Sequence, residues 1–411
     1  MLPDEANARD VVLFSTADWD HPFWTNKQHV ACQLAERGFR VLYVESLGLR
    51  RPTAGRRDLA RIGRRLRRAM RPVRQVQDNL WVASPLALPW HDNAWAREVN
   101  DRWLSAWLRS LCRRLHFARP IVWTYNPLVL PLADALARSL LVYHCVDDLS
   151  AAPHLPAGII APAEERLVRS ADVVFTTSQQ LQARHSAIGP QTTHYLPNVA
   201  DFAHFARARE PAVVPPELAA IPGPRIGFVG AVSEYKVDFE LIAAVAKARP
   251  DWHWVLIGQV GEGQQETRIE RLRLPNVHLL GPRRYELLPD YLRGFDVGTI
   301  PCPENPYTAA MFPMKFFEYL AAGLPVVVSH VPALEPFAHV HEQASTPQDF
   351  AAAIARLLRG ERPDEDQCTR VARQFTWQWR TDAMLEILEK AWQRRHGWPT
   401  IAPAPPRAKA G

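Results

Sequence analysis

The chain lacks any apolar run near the roughly 18–20 residues that a helix needs to cross a bilayer. Cysteine is scarce: the five residues, at 32, 112, 145, 302 and 368, are scattered and show no CxxC or Cys/His ligand spacing. That excludes a zinc knuckle or a disulfide framework and fits a reducing cytosol. No repeat recurs at solenoid periods, and the segment MLPDEANARD is polar and acidic, so no secretory signal is expected. What is present is ordinary for a globular protein: 47% apolar and 22% charged residues. At 411 residues, two domains are expected.

Acid is missing from one place in particular. Residues 50–74, RRPTAGRRDLARIGRRLRRAMRPVR, hold eleven Arg against one Asp, a local +10 in a chain whose net charge is +6. Leu59, Ile62, Leu66, Met70 and Val73 recur at spacings of three and four, so a helix would gather them on one stripe with arginine around it. Such a basic amphipathic helix suits an anionic membrane surface, where each arginine contributes about 1 kcal/mol. A solvated helical loop is the plainer alternative. A nucleic-acid surface fits less well, because aromatic residues are not interleaved and no nucleic-acid motif accompanies the run; no nucleic-acid partner is expected.

Short β-branched runs alternate with helical patterns along the whole chain. Strands are expected at 11–14, 40–45, 80–83, 120–124, 140–145, 172–176 and around Tyr195, then again at 225–229, 252–257, 277–280, 297–300 and 325–328. Helices are expected between them, including 26–37, 94–114 and 162–169. Continuous apolar strands alternating with helices imply parallel sheets covered on both faces. The fold class is therefore α/β, with two Rossmann-like domains facing a cleft. The expected organisation is a first domain over 1–200, a Pro- and Ala-rich linker over 201–224, and a second domain over 225–375. A helix over 376–398 would pack back on the first domain, and 399–411, with no core-forming content, would be a disordered tail.

Ligands of open parallel sheets sit beyond the carboxyl ends of the strands, so the loops there are candidates for chemistry. In the second domain these begin with Gly230 and Gly258, where a missing side chain lets backbone approach a phosphate. Lys236 follows, and then the stretch PCPENPYT, whose Asn305 and Thr308 stand with free helix amides as a diphosphate cradle. FPMKFFEYLAAGLPVVVSH (312–330) reads as a helix opened by Pro313 and closed by Gly323, with Lys315 and Glu318 on one face. In the first domain, adjacent Asp147 and Asp148 follow a buried strand and are either candidates for positioning or deprotonating a substrate hydroxyl or a helix-capping pair. Asp18, His21, Tyr125 and His144 are the remaining acceptor-side candidates, while Trp19 and Trp24 either stack on a sugar or brace their loop. His185 and His194 read as structural. Asp18 and Asp20 have the spacing of a metal-diphosphate bridge but stand in the first domain, away from the Gly- and Lys-bearing loops of the second, so no metal and no cofactor are expected.

The block PENPYTAAMFPMKFFEYLAAGLPVV resembles the donor-site motif of GT-B glycosyltransferases, in particular the large retaining family 4, whose helix reads P-x-K-x-x-E-Y-x-A-A-G-x-P-V-V. GFVGA, Lys236, VLIG, NVHLLG and YLRGFD follow the order of that family. DWDHPFWTNKQHVACQLAERGFRVLYVES and YHCVDDLS are similar to a bacterial branch that includes teichuronic-acid and exopolysaccharide transferases. The resemblance implies that Glu318 bonds the ribose hydroxyls of a UDP- or GDP-sugar, that Lys315 and Lys236 offset its diphosphate, with Lys315 also counted as catalytic, and that the Thr308 region lies near phosphate or sugar. Base recognition would run through main chain around 284–288. Three positions depart from the family pattern: Ala310 stands for the first Glu of a pair, Ala231 for an Arg, and Tyr125 for a His near the sugar.

The expectation is a retaining, metal-independent glycosyltransferase acting on a lipid-linked or glycan-precursor acceptor. It would sit in the cytoplasm on the inner face of the membrane, held there by 50–74. The rivals are a nucleotide-sugar epimerase on the same architecture and a membrane-surface scaffold that has lost catalysis.

Overall fold

The computed structural model describes residues 9–48, 67, 72–88, 90, 93–153, 155–189, 191–261 and 267–397. Most of the arginine-rich 50–74 lies outside them, as do Glu262 and Gly263 and the tail from 398.

Strands β1 (Asp10–Phe14), β2 (Arg40–Val44), β3 (Arg74–Gln77), β4 (Leu80–Ala83), β5 (Ile121–Thr124), β6 (Leu140–Cys145), β7 (Val173–Thr176) and β8 (Thr193–Tyr195) form the first sheet, in the order β3-β4-β2-β1-β5-β6-β7-β8. All its pairings are parallel except β3 with β4. Strands β9 (Arg225–Val229), β10 (His253–Ile257), β11 (Val277–Leu279), β12 (Val297–Ile300), β13 (Val326–Val328) and β14 (Glu342–Gln343) form a second, wholly parallel sheet ordered β11-β10-β9-β12-β13-β14. Every residue of β1, β5 and β6 is buried, the outcome for strands covered by helices on both faces.

The end of the basic run behaves differently from a helix. Arg74 opens β3, pairs opposite Val82, and its guanidinium meets Asp20 at 2.6 Å. The expectation of a helix is corrected at 72–74, while Arg67 is helical and the remaining residues of 50–74 fall outside the described ones.

The helices that frame the cleft are α1 (Asn26–Glu36), α2 (Ala94–Arg114), α3 (Ala157–Ser170), α4 (Gln179–Ser186), α5 (Phe239–Ala248), α6 (Pro306–Ala309), α7 (Lys315–Ala321) and α8 (Trp377–His396). Pro162, expected to open a helix, lies inside α3. Pro313 also sits one step earlier than expected: it makes a tight turn, its carbonyl accepting from Phe316, and α7 begins at Lys315. From α8, Trp377, Met384, Leu388 and Ala391 join the same core as Val11, Leu13, Val30 and Val142, so the last helix belongs physically to the first sheet.

Strand order reverses between β1 and β5 in one sheet and between β9 and β12 in the other. At such switch points the connections leave to opposite faces and open a crevice at the carboxyl edge. The two crevices supply the loops of the cleft.

Candidate functional site

A cavity of about 230 Å³ lies between the two sets of strand ends. Its second-domain wall is built by glycine. Gly230, just past β9, has φ +144°, and a Cβ added there would stand 3.1 Å from both Cε and Nζ of Lys315. A Cβ on Gly258, at the end of β10, would meet the Gly230 carbonyl oxygen at 1.7 Å. The two loops therefore pack backbone to backbone, and the Lys315 side chain lies along the glycine.

Lys315 and Glu318 share the face of α7 that lines this cavity. Both keep part of their surface open, yet surrounding protein is deep enough for desolvation to dominate. Glu318 is pushed up to about 7 by burial, opposed by Lys315. Lys315 is lowered by burial, a trend that the Cys302 thiol and Glu318 oppose and Lys236 reinforces. The Lys315 ammonium also stands 4.8 Å from the Phe228 ring centre. Lys236 enters from the loop after β9, its ammonium 5.3 Å from the Tyr235 ring and 5.5 Å from that of Tyr307. Two cations and a carboxyl whose charge is nearly balanced between its forms thus meet at one wall.

From the first domain, Asp147 and His21 line the cavity. The Tyr307 hydroxyl, from α6, donates to Asp147 Oδ1 at 3.0 Å and so ties the two halves across the cleft. His21 is folded back on its own loop: its Nδ1 accepts from the Phe23 amide at 3.2 Å and lies 3.0 Å from the Phe23 carbonyl. Trp24 also reaches the cavity, but its ring stacks on Tyr285 of the second domain at 6.0 Å and contacts Trp19 at 5.5 Å. The tryptophans brace the cleft.

Other expected site residues are placed elsewhere. Asp148 does not face the cavity. It caps the short turn 149–151, accepting from Ser150 and Ala151, and meets Arg184 at 2.5 Å. Burial pushes its carboxyl up, but the Ser150 hydrogen bond and the Arg184 guanidinium outweigh that and hold it below the usual range. A carboxylate engaged by a cap and an ion pair is a weakened base, and this one is placed away from the cavity. Asn305 and Thr308 form a reciprocal capping box on α6, and the second amide hydrogen of Asn305 goes to the Tyr235 carbonyl at 2.9 Å. Thr308 is buried and its hydroxyl donates to the Pro303 carbonyl, so these side chains are engaged in building the loop, and neither lines the cavity. Tyr125 and His144 are buried beneath the cavity floor with ring centres 4.7 Å apart. Burial drives the His144 ring well below its ordinary range, and Arg380 and Lys27 add to that. Asp18 turns its carbonyl to Gln28 and His21 and does not line the cavity. His185 is buried, as a structural histidine would be.

The departures from the family pattern gain a physical reason at one position. Ala310 is 2% exposed and packs into the core of the first sheet, while its carbonyl accepts from Ser178 across the domain boundary at 2.7 Å. A carboxylate there would be buried without a partner.

Lys27 was not singled out by sequence, although it lines the cavity at 8% exposure with its ammonium 5.6 Å from the Tyr125 ring. The available signal was a cation in the first turn of a helix, where the helix dipole disfavours it. A larger cavity, about 510 Å³, is lined by α2 and α3 within the first domain and holds none of these lysines or acids.

Comparisons with known proteins converge on one class. Residues 223–360 match the family described as glycosyl transferases group 1. The chain is 29% identical over 280 residues to a Bacillus subtilis (strain 168) protein provisionally named as the teichuronic acid biosynthesis glycosyltransferase TuaH, covering 63% of this chain and 69% of that one. Among solved structures, sucrose-phosphate synthase of Thermosynechococcus elongatus superposes with a TM-score of 0.71 at 16% identity, over 94% of this chain and all of that one. Anabaena HepE, solved with UDP-glucose, gives 0.63 at 16% identity, over 93% and 99%. The fold is GT-B, and the protein is a glycosyltransferase. Within that class it resembles the group 1 type, the match lying over residues 223–360.

Proposed function

We propose that the cavity takes a nucleoside-diphosphate sugar, UDP- or GDP-linked, and that the enzyme passes the sugar to a hydroxyl of a lipid-linked or polysaccharide-precursor acceptor. The observation that carries this reading is the convergence of Lys315, Lys236 and Glu318 on a wall opened by Gly230. Glu318 takes the ribose hydroxyls. As the glycosidic bond breaks, negative charge develops on the departing diphosphate, and Lys315 and Lys236 are aimed where it grows. These cations supply the compensation that a metal supplies elsewhere, so transfer is metal-independent. Asp147 stands across the cavity, held by Tyr307, and positions the acceptor hydroxyl or takes its proton. Retention of anomeric configuration follows from the family resemblance, through front-face attack in which the leaving phosphate accepts the proton. TuaH, named for teichuronic acid biosynthesis, supports a role in cell-envelope or exopolysaccharide synthesis.

The acceptor reading comes with a location: the cytoplasmic face of the membrane, with the first domain against lipid. No helix among the described residues is long and apolar enough to cross a membrane. Support for surface docking comes from the +10 charge of 50–74 and from Trp90, Trp95 and Trp103, which are 52%, 70% and 57% exposed. Val44 and Ala83 pair in parallel, so the segments after β2 and β4, the arginine-rich run and the stretch leading to Trp90, leave from adjacent strand ends. Exposed tryptophan beside arginine matches the headgroup layer.

The test is thermal stabilisation of the purified protein by UDP-, GDP-, ADP- and dTDP-sugars, with and without EDTA. A ligand at a hundred times its Kd adds about 2.7 kcal/mol. One nucleotide class should stabilise the wild type regardless of EDTA and fail on Glu318→Ala. Interconversion of the free sugar nucleotide without acceptor would favour an epimerase, and no nucleotide affinity at all would favour a scaffold.

A further inference from the structure

Arg380 lies on α8, outside every loop that faces the cleft, and is fully buried. It falls on the stripe Trp377, Met384, Leu388, Ala391 that packs α8 into the first core. A guanidinium in such a stripe normally finds a carboxylate. No carboxylate among the described residues reaches it, and its partners are all neutral: the Asn26 side-chain oxygen, the Asn198 side-chain oxygen at 3.4 Å and His144 Nε2 at 2.8 Å. Desolvation lowers the group to about 10, so it stays charged at neutral pH. His144 accepts at Nε2 and therefore carries its proton on Nδ1.

Two of these three neutral partners reach the cavity. Asn26 is the first residue of α1 and precedes Lys27; Asn26 and Asn198 both line the cavity. The Asn198 amide donates to the Phe312 carbonyl at 2.6 Å, and the Asn26 amide donates to Asn198 at 3.1 Å and to Met314 Sδ at 3.6 Å. Phe312 and Met314 belong to the turn from which α7 projects Lys315 and Glu318. One buried guanidinium thus holds, through two amides, the start of a first-domain helix and the turn that launches the donor helix of the second domain.

We propose that Arg380 is a positioning residue for the donor site: its planar fork fixes the Asn26–Asn198–Phe312 chain, and so sets where Lys27 stands relative to Lys315 across the cleft. Its charge, without a carboxylate and directly beneath the floor, adds to the positive potential offered to an anionic ligand. A buried carboxylate partner would stabilise the fold better and cancel that potential. The geometry of the fork separates the two contributions, because lysine keeps the charge but cannot span Asn26 and His144 together.

The proposal rests on the donor reading above, and the measurement keeps the two apart. Binding of UDP and GDP would be followed by calorimetry on the full chain for wild type, Arg380→Lys, Arg380→Met and Asn198→Ala, each with its melting temperature. Wild type should bind one of them. Arg380→Met should lose binding beyond detection. Asn198→Ala, which cuts the link to Phe312 and leaves the arginine with Asn26 and His144, should weaken binding roughly tenfold. Its melting temperature should fall by less than that of Arg380→Met, since one neutral amide is lost where the other variant removes the guanidinium. Arg380→Lys should recover part of the affinity and remain weaker than wild type. If wild type binds and Asn198→Ala and Arg380→Lys bind equally well, Arg380 is a core residue only and the proposal fails, whatever the stability of Arg380→Met. If wild type binds neither nucleotide, both readings fail together.

Discussion

Glu318 and Lys315 place two opposed ionisable groups on a single cavity wall. The glutamate titrates near 7 because it is desolvated faster than its lysine can compensate. The unfolded chain releases that proton near 4.5, so the folded state binds more protons between those values and loses stability relative to the unfolded chain as pH rises. Glutamine carries no such proton. The stability of wild type relative to Glu318→Gln should therefore fall steadily between pH 5 and 8, read from denaturant melts at each pH; a difference independent of pH would mean that Glu318 is ionised throughout. Gly230 gives a second test, since φ +144° and the 3.1 Å approach to Lys315 both oppose a side chain. Gly230→Ala should displace Lys315 and abolish nucleotide-induced stabilisation while the protein remains folded by circular dichroism. That Lys315, Glu318, Lys236 and Gly230 would share one cavity wall was legible in the sequence, because each is placed by a strand end or by the period of one short helix. Arg380 and Lys27 were not, since their roles depend on which segments the chain brings together. The trace they leave is a charge where local rules disfavour one.

The elements were legible for the same local reasons, and the misassigned residues share one cause. Buried strands and amphipathic helices announce themselves by period, so α2 and β4 fall where the pattern puts them. Polar residues at strand ends are ambiguous, because a residue that caps a helix and one that grips a ligand are the same residue types in the same loops. Asn305, Thr308 and Asp148 all make caps in the fold, and for Asp148 capping was already one of the two readings its sequence allowed. Adjacent Asp147 and Asp148 make a sharp test. Asp148→Asn should cost about 1–3 kcal/mol of stability, through the lost charge-assisted bonds to Arg184 and Ser150, yet leave nucleotide binding intact. Because the native Asp148 is held below the ordinary carboxylate range, its contribution is present above that range and disappears as acid protonates it. Asp147→Asn should do the reverse: the melting temperature holds and sugar transfer to acceptor falls. Equal loss of transfer in both variants at unchanged stability would return Asp148 to the active site.

At the scale of the whole molecule, the question is which face meets the acceptor. A lipid-linked acceptor arrives in a plane, so the cleft must be presented to that plane by something beside it. The arginine-rich run and the route to Trp90 leave from paired ends of β2 and β4, at the carboxyl edge where the cleft opens. Trp95 and Trp103 stand out from α2 with Arg102, Arg109 and Arg113 also exposed on that helix. Arginine acts at long range and is screened by salt, whereas an inserted tryptophan is held by burial and is not. Binding to vesicles containing anionic lipid should accordingly have two separable parts. In sedimentation with phosphatidylglycerol-rich vesicles, wild type should bind at low salt and keep a residual fraction bound at about 1 M salt, where the Debye length is about 3 Å. Trp95→Ser with Trp103→Ser should lose that salt-resistant fraction while still binding at low salt. Neutral phosphatidylcholine vesicles should capture little of either protein. Salt-resistant binding that survives the double substitution would assign the tryptophans to another role, and no binding to anionic vesicles at low salt would detach this enzyme from the membrane and from a lipid acceptor.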